Sequence, residues 1–156
     1  MKFLVDQPLG GLAKRLRFCG FDSAVLRLSP TKPDSLPAFA PDTYILTRQE
    51  AFQKLPRTDL LILNATTPQA QFEEVLRLLE IPRRAFSPLS RCSRCNELLR
   101  PLPRDQVQGL VPEHVFHHFP QFYECPICRR IFWPGSHLTG ITKKLLKNME
   151  KMGKGD

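Results

Sequence analysis

A mixed α/β fold with a mainly parallel sheet, followed by a small cysteine-built module, is the fold class this sequence predicts. Three observations predict it. In residues 1–82 short apolar runs alternate with stretches of helical periodicity, the pattern of crossover units joining parallel strands. One of those runs, Leu60–Leu63, is apolar at every position, as a strand covered on both faces is. Past residue 82 the segments shorten, prolines punctuate them, and two Cys-x-x-Cys pairs appear. The expected division is therefore an α/β domain over 1–82 and a cysteine module with a basic C-terminal helix over 83–156.

The elements follow in order. Lys2–Val5 reads as the first strand. Leu12, Leu16 and Cys19 recur at helical spacing, and Gly20 stops that helix. Ala24–Leu28 fits a second strand. Pro30, Pro33, Pro37 and Pro41 then make a loop with at most one short helix, capped by Asp34 or Ser35. Tyr44–Leu46 is the third strand, expected to pass straight into a helix through Thr47 and Glu50. After the Leu60–Leu63 strand, Thr67 is placed as an N-cap with Pro68 at the first helical position, and Phe72, Val75, Leu76 and Leu79 form one apolar face. Residues 81–90 read as a linker. From Ser136 onward, Leu138, Ile141, Leu145, Met149 and Met152 predict a final helix crowded with lysines. There are no internal repeats.

Charge is unevenly placed. Residues 1–82 hold ten Lys and Arg against nine Asp and Glu, whereas residues 83–156 hold thirteen against six, so the cysteine half carries nearly all of the net +8. A concentrated positive field attracts phosphate backbones without reading sequence, which points to RNA or another nucleic acid; a merely solvated basic surface is the alternative. No apolar run approaches the roughly 20 residues that span a bilayer, and Asp6 cuts the N-terminal apolar stretch short of a secretory signal. The expected location is the cytoplasm, with no membrane partner.

Cys92 and Cys95 form the first pair, Cys125 and Cys128 the second, with 29 residues between them. Two such turns bring four thiolates to one ion, and a complete tetrahedron leaves no open position, so the expectation is one structural Zn²⁺. The residues between the pairs must then make a hairpin or loop excursion. Disulfides are disfavoured in a reducing cytosol, and neither pair opens a helix after a strand as redox motifs do. An iron–sulfur centre suits the same four ligands and stays open. Cys19 shares an apolar helix face and reads as core. The histidines at 114, 117, 118 and 137 are surplus to a full shell, and His117-His118 is placed at the surface or against phosphate.

Phe3–Asp6, Leu9–Arg17 and Gly20–Asp22, then Ile45–Arg48, Arg91–Asn96, Cys125–Cys128 and Phe132–His137, together resemble the Mut-seven-C ribonuclease domain family, a PIN-domain relative with a C-terminal zinc ribbon. The resemblance runs from Phe3 to about Leu138. It implies a PIN-like sheet and a ribonuclease whose acidic side chains hold catalytic Mg²⁺ or Mn²⁺ at the carboxyl ends of the strands, where hard cations find oxygen ligands. Position by position, it places Asp6 as the first acidic ligand and Asp34 as a second.

Two positions depart from the family pattern. Where it has Thr-Arg-Asp this chain has Thr47-Arg48-Gln49, and where it often has an acidic pair before a proline this chain has Thr66-Thr67-Pro68. Glu50 is either a replacement ligand or the partner of Thr47 in a capping box. Two functions follow. One is a metal-dependent endoribonuclease using Asp6, Asp34 and Glu50, with Lys14, Arg15, Arg17 and Arg48 at phosphates near the cut. The other is a catalytically silent RNA- or ribosome-binding protein that uses the scaffold, the basic ribbon and Lys143, Lys144 and Lys147. A protein-interaction adaptor whose ribbon serves only as a staple is a third reading, and a ribonucleoprotein or other protein partner stays open.

Overall fold

A computed structural model of the chain describes residues 1–135 and, beyond them, Lys144. It divides into two compact units, Met1–Ser87 and Pro88–Asp156. The division falls five residues later than the 82/83 boundary expected from composition, because residues after Pro82 dock on the first unit. The Phe86 ring meets Phe21 edge-on at 5.7 Å and Phe72 at 6.3 Å, and the Ser87 N–H donates to the Cys19 carbonyl at 2.9 Å.

The first unit is built on four parallel strands: β1 (Lys2–Asp6), β2 (Asp22–Leu26), β3 (Thr43–Thr47) and β4 (Leu60–Ile62), in the order β2-β1-β3-β4. Helix α1 (Gly10–Phe18) joins β1 to β2, and α2 (Pro68–Leu78) follows β4. Strand β2 begins two residues before the expected Ala24. Helix α1 ends where Gly20 takes φ +94°, which lets the Phe21 N–H reach back to the Leu16 carbonyl. The Thr67 hydroxyl accepts from the Ala70 N–H at 3.2 Å, with Pro68 in the first turn, as the sequence predicts. A Cβ on Gly11 would stand 2.7 Å from the Pro68 ring, so glycine is what lets α1 and α2 meet there.

Both helices pack together and cover one face of the sheet. Phe3, Val5, Leu12, Leu16, Leu46, Phe72 and Val75 are fully buried, each large side chain stabilising by about 1.5–3 kcal/mol. Among the described residues, no α-helix covers the other face. It is closed by the segment between β2 and β3 and by the chain after β3, with Leu28, Ile45 and Phe52 at its centre and Leu4, Leu26, Leu36 and Leu60 packed around them. The helix expected through Thr47 and Glu50 is only a 3-10 turn, Glu50–Phe52. Two causes are local: only Phe52 of that turn is buried, and Pro56 follows within a turn. The capping box does not form either, since the Thr47 hydroxyl is bonded to Asp6 and to the Gln49 N–H.

The second unit holds a three-stranded antiparallel sheet, β5 (Arg100–Leu102), β6 (Phe122–Glu124) and β7 (Ile131–Phe132), in that order. The excursion between β5 and β6 contains a 3-10 turn and a short helix α3 (Glu113–His118), which close over Val107, Val115 and Phe122. The histidines of α3 are exposed. Glu124, 6% exposed, accepts from Arg100 at 2.9 Å and Arg129 at 3.0 Å. The final helix expected from Ser136 lies outside the described residues, apart from the exposed, helical Lys144.

One ion pair fastens the loop-covered face. Arg57 donates twice to Asp59, at 2.6 and 2.9 Å, and once to the Pro37 carbonyl at 2.7 Å. The Arg57 hydrogen bonds hold the Asp59 carboxyl below its ordinary range. Arg57→Ala should therefore cost about 1.5–3 kcal/mol in urea denaturation near neutral pH. Because the folded value is the lower one, that contribution is present above the unfolded value of about 3.9 and fades as pH falls below it. The gap between wild type and variant should narrow there, and a pH-independent gap would show that the ion pair is not its source.

Candidate functional site

Strand order decides where a site can form. The chain leaves β1 toward β2 on one side and crosses back to β3 on the other, so the order reverses between β1 and β3. At such a point the carboxyl ends of two strands diverge and leave a crevice for ligands. Asp6 ends β1 and Thr47 ends β3, and alternation along both strands puts their side chains on the loop-covered face.

Asp6 is 2% exposed. A carboxylate that deep must have its lone pairs met. Its Oδ1 accepts from the Leu28 N–H at 3.3 Å, and its Oδ2 accepts from the Thr47 hydroxyl at 2.7 Å and from Gln49 Nε2 at 2.8 Å. Gln49 Nε2 also donates to the Leu28 carbonyl at 3.2 Å. Above these groups opens a cleft of about 460 Å³, lined by Asp6, Gln7, Pro8, Arg27, Leu28 and Gln49.

The other expected acidic ligands are not in this lining. Asp34 is exposed on the 3-10 turn Pro33–Ser35, whose Ser35 hydroxyl bonds back to Ser29 instead of capping a helix. Glu50 is exposed at the start of its own turn. After β4 the segment 64–65 is held by an acid that the sequence did not single out: buried Glu74 of α2 accepts from the Asn64 and Ala65 N–H groups at 3.1 and 2.9 Å. A hard divalent cation asks for about six oxygen ligands. The cleft offers one carboxylate, already met by three donors, and an amide that turns its nitrogen inward. These residues do not fit Mg²⁺ or Mn²⁺.

The basic residues divide. Lys14 and Arg48 are exposed. Arg15 is half-buried, its Nη1 donating to Gln69 at 2.7 Å. Arg17, expected at a phosphate, is corrected: it is 9% exposed and its Nε donates to the Ser23 carbonyl at 2.8 Å, so it braces α1 against β2. Arg27 stands exposed at the mouth of the cleft. Nothing in the sequence marked it, because its position depends on where β2 ends. Lys143 and Lys147 lie outside the described residues.

The cysteine cluster is the second candidate. The sulfurs of Cys92, Cys95, Cys125 and Cys128 lie within 4.8 Å of one another, and Cys92 and Cys128 are 3.8 Å apart. Four sulfurs held about 2.3 Å from one ion stand about 3.8 Å from each other. The two turns share one backbone design. In the first, the Cys92 N–H donates to the Glu97 carbonyl, the Asn96 N–H donates to the Cys92 carbonyl, and Asn96 takes φ +65°. In the second, Cys125 pairs with Arg130 and Arg129 in the same way, with Arg129 at φ +62°. The Arg130 N–H draws the Cys128 thiol down to about 7, whereas desolvation first and then its hydrogen bond to Cys128 push Cys95 up to about 12. Among the described residues, no other cluster of three or more His, Cys, Asp or Glu side chains brings its ligand atoms together in this way. Cys19 is buried in the first unit, where desolvation raises its thiol to about 12 and leaves it inert.

A model of the family described as Mut7-C RNAse domain matches residues 1–145. No curated protein and no solved structure matches the chain. No helix among the described residues is long and apolar enough to cross a membrane.

Each sulfur must lose its proton to bind a metal, so metal and protons compete. Elemental analysis should find about one metal ion per chain, released on acidification below about pH 5 together with reactive thiols. Cys125→Ser should abolish this stoichiometric binding and unfold the second unit, read by the fluorescence of Trp133, the only tryptophan. Retention of one ion in that variant would show that the cluster is not its site.

Proposed function

The chain belongs to the Mut7-C RNAse domain family, and on that premise we propose that it is a catalytically silent member that binds RNA. On this reading the α/β unit is a PIN-type scaffold kept for recognition, and the four cysteines hold one structural zinc ion. The observation that carries it is the Gln49 amide bonded to Asp6 at 2.8 Å, where a second metal-binding carboxylate would be needed for phosphodiester cleavage. Family membership supports RNA as the partner. So do the net charge of +8, its concentration after residue 82, and the exposed Arg27, Lys14 and Arg48 of the first unit. Lys143, Lys144 and Lys147 are proposed as further phosphate contacts.

Zinc fits the donor set because four thiolates in two turns close a tetrahedron, and a closed shell serves folding rather than catalysis. An iron–sulfur centre would announce itself by iron and by visible absorbance in the purified protein. Free cysteines throughout the described chain suit a reducing compartment, and the cytoplasm is proposed on that ground.

A metal-dependent endoribonuclease is the second reading. A buried aspartate at the switch point of a parallel sheet, in a ribonuclease family, favours it. Labelled structured and single-stranded RNA, incubated with Mn²⁺ or with EDTA, separates the two. The expected result is binding that weakens steeply with salt, by a log–log slope of about −0.7 per phosphate contacted, and no cleavage. Changing Lys143, Lys144 and Lys147 together to alanine should weaken binding and flatten that slope. Cleavage that requires Mn²⁺ and disappears in Asp6→Asn would establish the nuclease instead.

A further inference from the structure

The charge of Asp6 has to be met inside the protein. It is 2% exposed at the end of the central strand, and no Lys or Arg side chain is bonded to it among the described contacts. A carboxylate this deep needs either a cation or a donor at each lone pair that water cannot reach. We infer that the Gln49 side-chain amide takes the place of a divalent cation at Asp6, which makes the crevice metal-independent by construction. Exchanging that one amide for a carboxylate turns the crevice into a divalent-cation site.

The geometry of Nε2 is that of a bridge. It spends one hydrogen on Asp6 Oδ2 at 2.8 Å and the other on the Leu28 carbonyl at 3.2 Å, so it links β1 to the segment after β2, as an ion shared between their oxygens would. The Thr47 hydroxyl at 2.7 Å and the Leu28 N–H at 3.3 Å complete the carboxylate's partners. The orientation of the amide follows from the same contacts. Turned the other way, its oxygen would face two further acceptors, an arrangement that holds only with a cation between them. Gln49→Glu keeps the length and shape of the side chain and imposes that arrangement permanently. Two carboxylates then compete for one position, and a proton or a metal ion must stand between them.

This inference rests on the reading of the cleft as silenced, but it is tested without RNA, so either can fail alone. The probe is Mn²⁺, titrated into full-length, zinc-loaded protein in metal-free buffer, with bound ion counted by electron paramagnetic resonance and stability read as Tm. Wild type should bind no Mn²⁺ at millimolar concentration and show no change in Tm. Gln49→Glu should lose about 5 °C or more without Mn²⁺, recover most of it with Mn²⁺, and take up about one ion per chain. Gln49→Leu, which can neither donate nor ligate, should be destabilised and gain nothing from the ion. Mn²⁺ uptake by wild type at the crevice would mean that the amide turns to admit a cation, and would overturn the inference. So would a Gln49→Glu chain indifferent to Mn²⁺, or a Gln49→Leu chain as stable as wild type. If Gln49→Glu does not fold in metal-free buffer, refolding on addition of Mn²⁺ supports the proposal and failure to refold counts against it.

Discussion

A carboxylate sealed at the end of the central strand organises the first unit. Burying Asp6 costs several kcal/mol unless its oxygens are paired, and the pairing partners come from three places in the chain: Leu28 after β2, Thr47 at the end of β3 and Gln49 just beyond it. Each partner has to stand within about 3 Å of one side chain, so the carboxylate fixes where the loop after β2 turns and how β3 ends. The Thr47 hydroxyl serves both ends of this arrangement, donating to Asp6 and accepting from the Gln49 N–H where the chain leaves β3.

The two units reach stability by different routes. The first buries a continuous set of large apolar side chains against a parallel sheet and needs no cofactor for that core. The described part of the second has strands of two or three residues, with Val107, Val115 and Phe122 buried and Leu102, Val111, Phe116 and Trp133 packed around them. Four thiolates closing on one ion, as proposed, would tie its turns together. On the proposed reading, loss of that ion is a folding event in the second unit and a bystander event in the first.

Much of this was written plainly in the sequence. Strand and helix identities of the first unit follow from short apolar runs alternating with helical periodicity, and the Thr67-Pro68 start of α2 is where the residues put it. The cysteine spacing alone brought the four sulfurs together. The rest depended on register and on competition between partners. Arg17 carries the same charge as Lys14 and Arg48, but its place on α1 turns it inward to the Ser23 carbonyl. Thr47 and Glu50 have the spacing of a capping box, yet the turn starts later, with Gln49 as its cap, while the Thr47 hydroxyl donates to an aspartate 41 residues away in sequence. Gln49 read as a missing acid, whereas in space it is a donor whose two hydrogens are both used. Local pattern cannot express a contact between the ends of two strands.

The two cysteine turns repeat one arrangement of backbone bonds and one left-handed residue around different pairs of intervening residues. Ser93-Arg94 fills one interior and Pro126-Ile127 the other, with Ile127 67% exposed. The cysteine cluster is in effect one frame holding two different fillings. A polar basic pair and an apolar pair satisfy the same backbone, so the exposed chemistry at Ile127 can change while the bonds that shape its turn stay in place.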